Sequence, residues 1–250
     1  MYEMTQIPKT MKSSFIIEPI DTHCATVIVL HGFSTSSRYM RANMIPALKK
    51  TLGKVVKKIK FVFLNAPDRK ITCYDNAVFS SWHDYLTDYG GSENFPYIEE
   101  HINNRHLEQV RNQIQQTVYE EAALFDGDLG KIILIGESQG CCVALDVALT
   151  MDETLGGVFA SFGQVYNQTF VDMQCDTAIP VVSDLPIMAY HGADDNCISA
   201  SLALRSYAKL IDIGFRDIHI HVEPLLEHCH FHYSEMNCFA KFLKKNCDFT

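Results

Sequence analysis

The sequence predicts an α/β fold: a mostly parallel, doubly wound sheet with helices on both faces and no large lid domain. Three observations carry this. Six short runs, at 25–30, 59–64, 131–136, 156–163, 186–192 and 218–223, are continuously apolar or nearly so, as strands covered on both faces are. Helical patterns lie between them. Leu107, Val110, Ile114, Val118 and Ala122 recur at spacings of three and four within 102–125, and the segments 199–212 and 234–245 behave alike. Residues able to do chemistry collect where the apolar runs end, which is the edge at which doubly wound sheets hold their sites.

In chain order, "VIVL" ends at His31-Gly32-Phe33 and "KIILIG" at Glu137-Ser138-Gln139. "IMAY" ends at His191-Gly192-Ala193-Asp194-Asp195, and "IHIHVE" runs on into "PLLEHCHFH". The 250 residues are expected to form one domain, 1–250, with 1–20 as an N-terminal extension or edge strand.

Composition narrows the function. A formal net charge of −9 without a basic stripe argues against a nucleic-acid partner. Nine cysteines, odd in number and without a CxxC pair, read as reduced thiols. The N-terminal "MYEMTQIPKTMKSS" lacks the apolar core of a signal peptide. No apolar run approaches the roughly 18 residues that cross a membrane. A cytoplasmic location is the expectation.

"GESQG", residues 136–140, fits the nucleophile elbow G-x-S-x-G. A serine on a sharp strand-to-helix turn is pushed into the open. The residues two before and two after it come too close for side chains, hence two glycines. Chance would produce this pattern in about one such chain in ten, but the apolar "KIILI" before and helical "CCVALDVAL" after make the context right. A serine hydroxyl needs a base, and the base an orienting carboxylate, in the order Ser, Asp, His. Asp195 follows the "HG" turn at the distance needed to point back across the edge, while Asp194 is a neighbour or a capping residue. "EHCHFH" offers His228, His230 and His232; His228 reaches the edge first and His230 is the alternative. Ser234 or His232 is placed to start the last helix, with Glu235 in its first turn. Histidines at i, i+2 and i+4 in a loop form no defined ligand set, so no metal is assigned. The oxyanion hole is expected from the N–H groups of Phe33 and Gln139. The segment 71–106, with Trp82, Phe95 and Tyr97, is long enough to shape an acyl groove, or packs as a loop around a buried tryptophan.

With these residues in hand, the chain resembles the acyl-protein thioesterase, or phospholipase/carboxylesterase, family of α/β-hydrolases over about residues 24–245. "VIVLHGF", "FVFLNAP", "SSWHDY", "GESQG", "PIMAYHGADDNCI" and "VEPLLEHCHFHYSEMNCFAKFL" carry the likeness. Fungal-type members have a Glu-Ile pair seven and eight residues beyond the histidine, and Glu235-Met236 fall at that distance from His228. Departures are a "HGFSTSS" loop in place of HG-x-GD, Glu137 where Phe or Leu is usual, Cys141 for glycine and His83 for Phe. The glycines usual before the histidine are also missing.

The resemblance implies a serine hydrolase of S-acylated proteins, lysophospholipids or short carboxylesters, with no metal or organic cofactor. It implies substrate contact at His31, Gly32 and Trp82. Transient contact with a membrane surface is expected, since acylated substrates sit there, and a monomer or weak homodimer is the expected state. A short-chain carboxylesterase is the alternative of the same class. A ligand-binding protein without activity is the alternative of another class.

Overall fold

In the computed structural model of the protein the described residues are 12–88, 98–173, 182–229 and 231–249. Phe95, Tyr97 and His230 fall outside them. Nine strands are described: β1 (Lys12–Ile17), β2 (Ala25–Leu30), β3 (Ile59–Asn65), β4 (Asp68–Ile71), β5 (Ala77–Ser80), β6 (Ile132–Glu137), β7 (Gly157–Ser161), β8 (Ile187–Gly192) and β9 (Ile218–Glu223). Seven form one sheet in the order β1-β3-β2-β6-β7-β8-β9, and β4 and β5 form a separate ribbon. β1 is antiparallel to β3 at one edge. Every other neighbouring pair in the large sheet is parallel.

Among the described residues six α-helices surround it: α1 (Ser37–Leu52), α2 (Asn104–Ala122), α3 (Gln139–Leu149), α4 (Asn167–Asp172), α5 (Ala200–Asp212) and α6 (Tyr233–Asn246). The central strands alternate with period two, so each contributes to two cores. Val27, Val29, Phe61, Phe63, Ile133 and Ile135 meet α1 and α6 through residues such as Met44, Leu48, Phe239 and Leu243. Ile28, Leu30, Val62, Leu64, Ile132 and Leu134 meet α2, α3 and α5 on the other face. With both faces covered, the continuous apolar runs of β2, β3 and β6 have their explanation, whereas β9, expected to be covered alike, lies at the sheet edge and is half-exposed.

Helix α3 is buried along its whole length. Its one charge, Asp146, is held by a two-pronged ion pair with Arg111 of α2, both bonds 2.8 Å. Thr169 Oγ1 donates a further bond of 2.6 Å to the same carboxylate. A buried carboxylate is tolerated only when its lone pairs are answered in this way.

Several boundaries differ from the sequence-based expectation for physical reasons. β7 stops at Ser161 because Phe162 adopts φ +54° and turns the chain away. α2 starts at Asn104 because Asn103 caps it, accepting from His106 N–H. α1 is not among the helices expected from periodicity, since Pro46 sits in its middle. Packing rescues it: Met40, Met44, Ile45 and Leu48 all lie against the sheet. No helix among the described residues is long and apolar enough to cross a membrane.

Candidate active site

The site is built where β2, β6, β8 and β9 end. β6 hands over to α3 at Ser138, whose φ of 52° and ψ of −120° lie where a residue with a side chain rarely sits. The turn is that tight because strand and helix nearly touch. A Cβ on Gly136 would stand 2.2 Å from the Gly140 carbonyl oxygen. One on Gly140 would stand 2.4 and 2.5 Å from the carbonyl oxygens of His31 and Leu30. Both obstacles are backbone and cannot rotate aside. Gly140→Ala is therefore expected to cost about 3 kcal/mol or more of stability, read by denaturant unfolding. A stability equal to wild type would mean that α3 can lift off β2 without penalty.

The strained turn aims the Ser138 hydroxyl at the loop after β9. Its Oγ lies 2.8 Å from His228 Nε2. His228 Nδ1 lies 2.7 Å from Asp195 Oδ2. Asp195 is buried, whereas Asp194 beside it is exposed. The second carboxylate oxygen of Asp195 accepts the N–H groups of Cys197 and Ile198, at 2.9 and 2.8 Å. His191 adds a contact of 3.2 Å from Nε2 to Asp195 Oδ2 and one of 2.8 Å to the Ile198 carbonyl. Facing two acceptors, that nitrogen carries the proton. Burial by itself would raise the Asp195 pKa, but hydrogen bonds from His191 and His228 outweigh it and hold the carboxyl down to about 2. A fixed carboxylate against Nδ1 keeps Nε2 of His228 available as an acceptor from Ser138.

A cleft of about 330 Å³ opens over Ser138 and His228, within the size range of small-molecule sites. Phe33 forms one wall, with ring contacts of 5.7, 5.2 and 5.6 Å to Tyr74, Phe79 and Tyr85. Gln139 is the first residue of α3, so its N–H has no partner inside the helix. The Gln139 side chain points away from the cleft: its Oε1 accepts Trp82 N–H at 2.9 Å, and its Nε2 donates to the His83 carbonyl at 3.2 Å. The elbow is thereby tied to residues 81–83.

Of the three residues expected to touch substrate, Gly32 lines the cleft. His31 and Trp82 do not: each has no exposed surface. They brace the loop from beneath. His31 Nε2 accepts Ala66 N–H at 3.0 Å, its Nδ1 donates to the Gly32 carbonyl at 2.7 Å, and Trp82 Nε1 donates to the His31 carbonyl at 2.7 Å. Their polar atoms are consumed by backbone, which makes them supports of the loop rather than its working face. The 71–106 segment contributes Tyr74, Tyr85, Thr87, Asp88 and Glu100 to the cleft instead.

Three contacts were not legible in the residue order. His191 braces Asp195 although it lies four residues before it. Glu137 faces the cleft and is pushed up to about 8 by burial and by the charge of Glu235. Glu235 accepts from Ser161 Oγ at 2.6 Å and is itself raised to about 7, chiefly by burial. Glu137 carried a signal, an acidic residue where the family resemblance places Phe or Leu, and Glu235 matched the Glu-Ile pair of fungal-type members.

A phospholipase/carboxylesterase family model matches residues 11–247. Acyl-protein thioesterase 1 of Aspergillus fumigatus is 25% identical over 242 residues, covering 94% of this chain and 92% of that protein. Among solved structures, SOBER1 of Arabidopsis thaliana superposes with a TM-score of 0.75 at 19% identity, over 89% of this chain and 98% of that one. Acyl-protein thioesterase 2 of Zea mays superposes with a TM-score of 0.73 at 18% identity, over 94% and 98%. At those identities the two structures speak for the α/β-hydrolase fold alone, whereas the family model spans nearly the whole sequence. The chain therefore belongs to the phospholipase/carboxylesterase family of α/β-hydrolases, enzymes that hydrolyse carboxylic esters and thioesters.

Proposed function

We propose that this chain is a serine hydrolase of acyl thioesters and esters, an acyl-protein thioesterase or lysophospholipase-like carboxylesterase, working through Ser138, His228 and Asp195. The observation that supports it most is the unbroken pair of contacts, 2.8 Å from Ser138 to His228 and 2.7 Å from His228 to Asp195. His228 Nε2 takes the proton of Ser138 as Oγ bonds to the acyl carbon. The N–H groups of Phe33 and Gln139 receive the oxyanion. The C–S or C–O bond then breaks, and His228 returns the proton to the leaving thiol or alcohol. Water, deprotonated by His228, releases the acid and frees Ser138. Asp195 holds the imidazole and stabilises its cation.

The aromatic wall of Phe33, Tyr74, Phe79 and Tyr85 suits an acyl chain. Acylated proteins or lysolipids would be met at a membrane surface by transient contact. The enzyme would act in the cytoplasm, as a monomer or weak homodimer.

The test is a series of matched esters and thioesters from acetyl to palmitoyl. Turnover of long-chain thioesters is the expected result. Activity confined to short esters would replace this reading by that of a small-molecule carboxylesterase. A folded protein that neither turns over any ester nor reacts with a fluorophosphonate would be a ligand-binding relative instead.

A further inference from the structure

Glu137 stands between Gly136 and Ser138, where the family resemblance places Phe or Leu, and the proposed mechanism leaves it without a task. It is 7% exposed and lines the cleft beside Ser138 and Gly32. Its Oε2 lies 3.8 Å from the place a Cβ on Gly32 would take, so the carboxyl sits against the loop that leads to the Phe33 N–H. The titratable groups about it are Cys229, Glu235 and Tyr39, with His228 lining the same cleft. The Cys229 thiol, after β9, faces the carboxyl. Glu235 of α6 faces it, bonded to Ser161 of β7 at 2.6 Å. Tyr39 of α1, raised by burial and then by Glu137, completes the shell. Among the described residues no lysine or arginine pairs with Glu137 or Glu235.

We propose that Glu137 sets the charge at the oxyanion hole: turnover requires its carboxyl neutral, and the carboxylate opposes the developing oxyanion. This rests on hydrolysis by Ser138 as proposed above. Glu137 makes and breaks no bond, so its role is positioning in the electrostatic sense. A like charge against the loop that leads to the Phe33 N–H opposes the charge developing there. The direction follows from the titration. Burial first, and Glu235 second, keep Glu137 protonated up to about pH 8, so activity falls as pH rises through that value. The two carboxyls interact, and their loss of protons belongs to the pair.

The experiment is kcat/KM from pH 6 to 9.5 on the best substrate of the acyl series, for wild type, E137Q and E235Q, with circular dichroism at each pH. Wild type is expected to lose about tenfold or more between pH 7 and 9.5. In E137Q that alkaline fall should disappear, because no charge can form. In E235Q it should move to lower pH, because the carboxylate that repels Glu137's charge is gone. A merely structural side chain would change neither the shape nor the position of the profile. If E137Q does not fold, E137L gives the same readout with the kind of side chain the family resemblance expects. An alkaline fall in E137Q like that of wild type, or none in wild type, overturns the proposal while hydrolysis by Ser138 stands. A wild type inert toward every ester and unlabelled by fluorophosphonate overturns both.

Discussion

Replacement of Ser138 by alanine is expected to lower kcat by about a millionfold, with circular dichroism unchanged. Ser138 Oγ lies 2.8 Å from His228 Nε2, so in the proposed mechanism its loss removes the acyl-enzyme route and not merely an interaction. What survives is binding and oxyanion stabilisation of attack by water, about 10³–10⁴-fold over solution. His228→Ala should cost nearly as much, and the double variant no more than either single one, because the two residues act as a unit. His230→Ala should leave turnover near wild type, since His228 already holds the bridging place between Ser138 and Asp195. Turnover of Ser138→Ala above about one per cent of wild type would sink the assignment of the nucleophile. A dead His230→Ala beside an active His228→Ala would transfer the role of base.

Asp195→Asn is expected to lower kcat by about 10⁴-fold, again with the fold kept. The asparagine carbonyl can still accept the N–H groups of Cys197 and Ile198, which Asp195 receives at 2.9 and 2.8 Å. Its amide nitrogen then faces His228 Nδ1, where Oδ2 stood at 2.7 Å. An N–H opposite Nδ1 selects the tautomer protonated at Nε2, which cannot take a proton from Ser138. His191 also loses its acceptor at 3.2 Å, but it keeps the Ile198 carbonyl. The damage is therefore chemical more than structural. Turnover within tenfold of wild type would show that another carboxylate, such as Asp194, orients the base.

Much of this architecture could be read from residue order alone. Runs such as "ATVIVL" are buried at every position, and only a strand covered on both faces needs that pattern. The elbow was legible for the same sort of reason, since Gly136 and Gly140 are required by backbone contacts of 2.2 and 2.4 Å that no larger residue survives. Where the expectation failed, the deciding contact was distant in sequence. Trp82 and His31 are 51 residues apart, and nothing in either neighbourhood announces that one donates to the other's carbonyl. Read singly, a histidine and a tryptophan beside a candidate active-site loop suggest substrate contact. Packed together, they are buried supports.

Sequence alone determined the strand–helix alternation, the strained serine turn and the Ser, Asp, His order, because each rests on local sterics or on patterning within a dozen residues. Tertiary structure decided that His228 bridges Ser138 and Asp195, 90 and 33 residues away. It likewise brought Glu235 of α6 against Glu137 of β6 and left both carboxyls away from water. Ionisation and proton transfer depend on distances of a few ångströms and on exclusion of solvent. Those quantities exist only once strands from distant parts of the chain end at the same edge.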